Sequence, residues 1–355
     1  MTTSFFLVRW LFAAMNWVYE QMSTLFTRGG GVVVLTILLF TLGIKLLTIF
    51  SDIKSRKSSI QMQKIQPELD KLKKKYANDP QKMSTEQRKL MKERGVSTFG
   101  GCLPLLIMMP LLFMFFEAFR AWSNQQTLSL MIDIANGKGV ETFEGFRFLW
   151  ITNIWRPDNL IGGSTLMKGS EFWTTFAATN NVKNFLFYEQ NADVLNQILY
   201  KLHFFTITTG ENGAIEYVLA NDGGAAFQAA YQNFVLPITS SIGGSGYENM
   251  SNGFAVLPIL AGATTFLSSW IMQKSQPKPA AKADDKNDPA AQSQNMSKWM
   301  MYLMPLMSVF FCWRYDSTFA FYWIFSNIFS LAVTLILNAT VFKKMQSEPM
   351  EVVKS

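Results

Sequence analysis

The chain is poor in charge and in the residues that most often carry chemistry. Of its 355 residues only 16% are charged, against 49% hydrophobic and 14% aromatic. That charge fraction is low for a soluble protein of this length. There is one histidine, His203, and there are two cysteines, Cys102 and Cys312. Both cysteines stand in apolar surroundings without metal-ligand spacing and read as packing residues. No glycine-rich phosphate loop runs into Lys-Ser/Thr, and no His/Cys/Glu grouping has the spacing of a metal site. Gly162-Gly163-Ser164 is a lone small-residue turn, and the only histidine lies in a different part of that loop, so a serine nucleophile would lack a base. Enzymatic chemistry is not expected, and no cofactor or metal is implied.

What the chain has is long apolar runs. Gly30–Phe50, GGVVVLTILLFTLGIKLLTIF, is long enough as a helix to cross the hydrocarbon core of a bilayer. Similar runs follow, none with the short alternation of barrel strands. Since only helices or closed barrels satisfy their own backbone in lipid, the expected fold is an all-α polytopic membrane protein. Lys45 sits inside the first run. A lysine held in lipid costs on the order of 3 kcal/mol unless it faces a wet or protein-lined space. It is also close enough to Ser51 for its stem to reach the interface. On position alone, snorkelling and a functional pose stand level.

In chain order, residues 1–28 read as an interfacial amphipathic helix with aromatic anchors Trp10 and Trp17. A signal peptide is the rival reading, but the stretch lacks a basic start and a small-residue cleavage site. Residues 29–50 form the first expected span. Residues 51–98 carry thirteen Lys/Arg against six Asp/Glu, the excess that marks the inner side. Within them Ile60, Ile65, Leu69, Leu72 and Tyr76 stripe one helix, Asn78-Asp79-Pro80 offers a capped turn, and Met83, Leu90 and Met91 stripe a second. The expectation is a cytoplasmic helical hairpin. Residues 99–122 form the second span, and 123–252 a long, mildly acidic outer loop with helix-like stretches around Asn181–His203 and Ala225–Phe234. The third span is 253–273 and 274–298 a flexible inner linker. The fourth and fifth spans are 299–313 and 318–341, followed by a short tail, 342–355. Five spans leave the N-terminus outside and the C-terminus inside, with every short basic loop on one side.

Several ordered motifs resemble one family, the YidC/Oxa/Alb membrane protein insertases. Ile60–Val96, IQMQKIQPELDKLKKKYANDPQKMSTEQRKLMKERGV, is similar to that family's cytoplasmic hairpin. FGGCLPLLIMMPLLFMFF follows at once, close to the family's entry to its next helix. FRFLWITNIWRPD (Phe146–Asp158), GFAVLPILAGATTFL (Gly253–Leu267), MPLMSVFFCW and FYWIFSNIF complete the series. The resemblance covers most of the chain except roughly Asn159–Asn252, and it is to the five-span type without a large outer domain ahead of the first span.

The resemblance implies five helices around a hydrophilic groove open to the cytoplasm and lipid. Its cation draws the acidic part of an incoming protein into the inner leaflet, and the apolar part then leaves into lipid. Carried over by position, Lys45 is the groove cation, Thr41 a groove polar residue, and Trp323, beside Tyr322, an aromatic that meets substrate. Thr264, Ser268, Ser269, Ser326 and Asn327 are implied polar lining. Met108, Met109, Met114, Met304 and Met307 would form a sliding surface for substrate. Nascent membrane proteins, the ribosome, the Sec translocon, and anionic lipids near the basic hairpin are the implied partners, in a bacterial plasma membrane. The chain departs from the family in having Lys45 where arginine is usual, Phe50 where some members have proline, and an extra outer block. Its short tail leaves ribosome contact to the hairpin. A small-anion channel using Lys45, and a scaffold recruiting partners through the hairpin, are the competing readings.

Overall fold

The computed structural model describes residues 6–26, 29–76, 79–95, 103–160, 165–177, 186–210, 213–222, 224–243, 250–274 and 289–342. Cys102, Gly162-Gly163-Ser164 and the C-terminal tail lie outside them. The fold is helical: α1 (Phe6–Leu25), α2 (Gly30–Lys75), α3 (Pro80–Glu93), α4 (Leu103–Ala135), α5 (Gly139–Glu144), α6 (Gly169–Phe176), α7 (Leu186–Gln190), α8 (Ala192–Lys201), α9 (Ala225–Phe234), α10 (Leu236–Ser241), α11 (Val256–Lys274), α12 (Pro289–Arg314) and α13 (Ser317–Leu337). One antiparallel hairpin, β1 (Phe205–Thr209) and β2 (Ile215–Leu219), pairs Phe205 with Leu219 and Thr209 with Ile215. Among the described residues three helices are long and apolar enough to cross a membrane, over Gly30–Lys54, Val256–Gln273 and Ser317–Thr340.

Several helices outrun their apolar stretches. α2 continues without a break for 46 residues, roughly 70 Å, through Phe50 and past Pro67. The sequence after Phe50 turns polar, but Ser51–Lys57 holds no glycine or proline, and polar residues continue a helix as readily as apolar ones. α4 likewise passes Trp122 and ends at Ala135, and α12 begins at Pro289, ahead of Trp299.

The chain divides into two compact units. The first comprises Met1–Phe40, Phe113–Ile259 and Phe310–Tyr322. Its polar centre is the irregular segment from Gly145 to Asp158. Asp158 is fully buried, and its carboxyl accepts from Trp150 Nε1 at 3.1 Å, Ala255 N at 3.0 Å and Leu257 N at 2.8 Å. It therefore caps the start of α11 from nearly a hundred residues away, supplying acceptors that the first turn of a helix otherwise lacks. Gly253 is required beside it, because a Cβ there would overlap Asp158 Oδ1. Asn252, also fully buried, accepts from Asn153 N at 2.8 Å and donates to the carbonyls of Asn153, Arg156 and Pro157. Ser317, the first residue of α13, donates to Arg156 O through both its N–H (3.1 Å) and its hydroxyl (2.7 Å). Gly30 N, at the start of α2, donates to Gly145 O at 2.7 Å.

Arg156 points the other way, into a two-point ion pair with Glu171 at 2.8 and 2.6 Å. Asp316, in the turn before α13, lies near this pair. Ser123 donates its one hydroxyl hydrogen to Trp155 O at 2.9 Å. Desolvation pushes Asp316 up to about 7, with Arg156 opposing and the Glu171 charge assisting. Glu171 stays below the usual carboxylate range because Arg156 holds its charged form, outweighing burial.

The remainder of the first unit packs around aromatics. Phe172 meets Phe227 at 5.2 Å and Phe204 at 5.7 Å between ring centres, and Tyr231 donates to Met167 O at 3.0 Å. These rings, with Phe143, Phe176 and Leu199, build one core for α5 to α10 and the β-hairpin. A second cluster joins α4 to the α12–α13 corner, with Phe116 against Tyr315 at 4.3 Å and Phe319 at 4.4 Å. Tyr19 of α1 packs edge-on to Trp122 at 5.7 Å, while Phe6, Trp10 and Trp17 on the same helix are exposed.

The second unit comprises Thr41–Leu112, Leu260–Val309 and Trp323–Ser355. In it α3 folds back against the distal part of α2. Asp79 caps α3 through Lys82 N at 3.0 Å, with Pro80 at its first turn. Ile65, Leu69 and Met91 form the buried seam, and Arg94 closes it on Glu68 at 2.8 and 3.0 Å. Glu68 is 41% exposed, so that pair adds at most about 1 kcal/mol.

Two outcomes test this arrangement. Asp158→Ala removes two buried hydrogen bonds and one part-buried one and is expected to destabilise the protein in detergent by about 3 kcal/mol, read from thermal unfolding. Asp316 in the native state binds a proton that the unfolded chain has already lost between pH 4 and 7, so stability should decline as pH rises through that window, by up to about 1.4 kcal/mol per unit. Asp316→Asn should flatten that slope, leaving the acid-side loss due to Glu171.

Candidate functional site

Thr41, Lys45 and the polar residues of α11 and α13 lie within apolar helices of the second unit, where each must find a partner or water. Thr41 and Lys45 stand one turn apart on the same face of α2. Thr41 is fully buried and Lys45 half-buried. Asp52, two turns further along, is the charged group that bears on Lys45.

α11 and α13 are joined by a hydrogen-bonded node. Trp323 Nε1 donates to Thr265 Oγ1 at 3.0 Å, and Asn327 Nδ2 donates to the same oxygen at 2.9 Å. Asn327 Nδ2 also reaches Thr264 Oγ1 at 3.3 Å. Thr265 passes its own hydrogen back to Ala261 O at 2.7 Å, and Thr264 to Leu260 O at 2.8 Å. One hydroxyl thus takes two donors that sit a turn apart on α13. The indole edge of Trp323 is fixed, while its ring remains half-buried.

The structure therefore brings together four residues: Thr264, Thr265, Trp323 and Asn327. Thr265 is not among the residues that the sequence points to. The signal was a tryptophan and an asparagine one turn apart on an apolar helix, since both donors need an acceptor there. Ser268 is buried, and Ser269 and Ser326 are half-buried on the same two helices. Tyr322, next to Trp323 in the chain, is buried in the first unit against Phe115 at 4.6 Å and Phe119 at 5.4 Å. Of the methionines, Met114 is half-buried, and Met304 and Met307 are exposed one turn apart on α12. The side chains of Met108 and Met109 lie outside the described residues.

Apolar helices of spanning length, carrying a lysine and a hydrogen-bonded polar node within them, define an all-α polytopic membrane protein. The family model described as 60Kd inner membrane protein matches residues 25–236 and 225–345, and the chain belongs to that family. Relatives named membrane protein insertase YidC are similar to it. The one from Clostridium perfringens is 40% identical over 157 residues, 43% of this chain and 58% of the relative. That from Clostridium tetani is 33% identical over 141 residues, 40% of this chain and 56% of the relative. That from Chlorobaculum tepidum is 25% identical over 307 residues, 86% of this chain but 33% of the relative. The matched stretch thus spans a little over half of the clostridial relatives and a third of the third.

Removing the shared acceptor tests the node. Thr265→Val should lower stability by about 1 kcal/mol, the scale of interhelical hydrogen bonds in membranes, while Thr265→Ser retains most of it. Thermal unfolding in detergent compares the two.

Proposed function

We propose that the chain is a membrane protein insertase and chaperone, working alone or beside the Sec translocon, and that it is not an enzyme. The observation that carries the reading is Lys45, half-buried within an apolar helix, in a chain of this family whose relatives are named insertases. On this reading five spans enclose a hydrophilic groove, with the N-terminus outside and the C-terminus inside a bacterial plasma membrane. Thr41, Lys45, Thr264, Ser268, Ser269, Trp323, Ser326 and Asn327 line it.

The mechanism follows from electrostatics in a low-dielectric setting. A cation kept partly wet attracts a passing carboxylate far more strongly than the same charge in bulk water. An acidic, hydrophilic segment of a nascent protein is drawn into the inner half of the membrane and has less hydrocarbon left to cross. Its apolar neighbour then partitions sideways into lipid, gaining roughly 25 cal/mol for each Å² removed from water. Trp323, its indole edge fixed by Thr265, offers a flat face to the moving chain, and Met114, Met304 and Met307, with Met108 and Met109, offer adaptable contacts. The α2–α3 hairpin stands in the cytoplasm, where its basic surface meets the ribosome and anionic lipid headgroups.

Replacing Lys45 tests the proposal. Lys45→Ala should cut insertion of a two-span substrate with an acidic translocated segment about tenfold, equivalent to ~1.4 kcal/mol. Lys45→Arg should insert nearly as well as the parent. Unimpaired insertion by the alanine variant, at normal abundance, would remove the charge from the mechanism.

A further inference from the structure

Leu149 stands out in the Gly145–Asp158 segment. Its φ is 52°, a left-handed conformation that leucine rarely adopts, and it is 75% exposed. Its flanks hold it there. Phe148 and Ile151 exchange backbone hydrogen bonds at 3.0 and 2.9 Å, and Trp150 is tied to Asp158. Phe254 is displayed in a similar way, 62% exposed and followed by Ala255 at φ 57°. The two belong to one patch, because the Gly253 backbone lies against the Trp150 ring: a Cβ there would be 3.3 Å from Cδ1. Leu149 and Phe254 flank that contact, and the exposed Arg147 sits two residues before Leu149.

The depth of this patch is set by the helices it meets. The starts of all three apolar helices bond to the same segment: Gly30 to Gly145, α11 to Asp158, and Ser317 to Arg156. The start of a spanning helix marks the boundary between headgroups and hydrocarbon. A strained backbone that displays two large apolar side chains at that level, beside an arginine, matches a phospholipid in both halves.

We propose that Leu149 and Phe254 anchor the segment in the adjoining leaflet, with their side chains among the upper acyl carbons and the Arg147 guanidinium on lipid phosphate. The domain built from α5 to α10 is then seated in the membrane surface rather than held above it. This surface is independent of Lys45 and of the insertase reading.

The test uses the full chain with Cys102 and Cys312 changed to serine, reconstituted in vesicles of phosphatidylethanolamine and phosphatidylglycerol. A nitroxide is attached at Leu149→Cys or, separately, at Phe254→Cys. Collision with oxygen, which concentrates in lipid, is compared with collision with a water-soluble nickel chelate. Leu39→Cys on α2 gives the lipid reference and Lys201→Cys on α8 the aqueous one. Both test labels should favour oxygen, as Leu39→Cys does. A nickel-dominated profile at Leu149→Cys matching that at Lys201→Cys would overturn the proposal, whatever Phe254→Cys shows. Should Leu149→Cys fail to fold, the Phe254→Cys label decides by the same criterion.

Discussion

Three spanning helices begin on one short run of irregular backbone, and the rest of the first unit depends on how their first turns are satisfied. A helix start exposes N–H groups that lipid cannot solvate. Asp158 meets those of α11, the Arg156 carbonyl takes both donors of Ser317, and Gly145 takes the first N–H of α2. Asn252 ties the run to itself through four hydrogen bonds. Because the acceptors belong to one segment, the beginnings of the three helices form a single cooperative unit. A single buried carboxyl and a single buried amide carry much of that load.

The second unit follows a different rule. Outside the charged α2–α3 hairpin, the polar side chains described on α11, α13 and the first part of α2 are few and sit inside apolar helices. Trp323 and Asn327 share Thr265, which removes two donors from lipid at the cost of one hydroxyl. Lys45 is half-buried, and its ammonium becomes useful where protein and water, rather than acyl chains, receive it.

Much of this was legible in the sequence, for reasons that differ by element. The apolar runs that became α2, α11 and α13 were plain, because hydrocarbon thickness sets their length. Their ends were not, since a change in hydropathy stops a span without stopping a helix: α2 runs on to Lys75 and α4 to Ala135. In the domain from α5 to α10, the stretches that hold α7, α8 and α9 read as helix-like, but α5, α6, α10 and the β-hairpin escaped, because these elements are short and owe their stability to Phe172, Phe204 and Phe227 meeting from distant positions. Within the site, Lys45 could be picked out as a lone charge on an apolar helix, whereas Trp323 and Asn327 were implied only by the family resemblance. Tyr322 could not be separated from Trp323, although adjacent helical residues face directions about 100° apart and only one joins the polar node. Thr265 needed the partner helix to be seen.

We propose that Trp323 and its neighbours face substrate rather than lipid. A photo-crosslinking residue in place of Trp323, with a ribosome-stalled membrane protein as client, tests it directly. Adducts to the nascent chain from position 323, and none from the exposed Ile328 on the same helix, are the predicted result. Adducts from 328 but not from 323 would put lipid, not substrate, against Trp323.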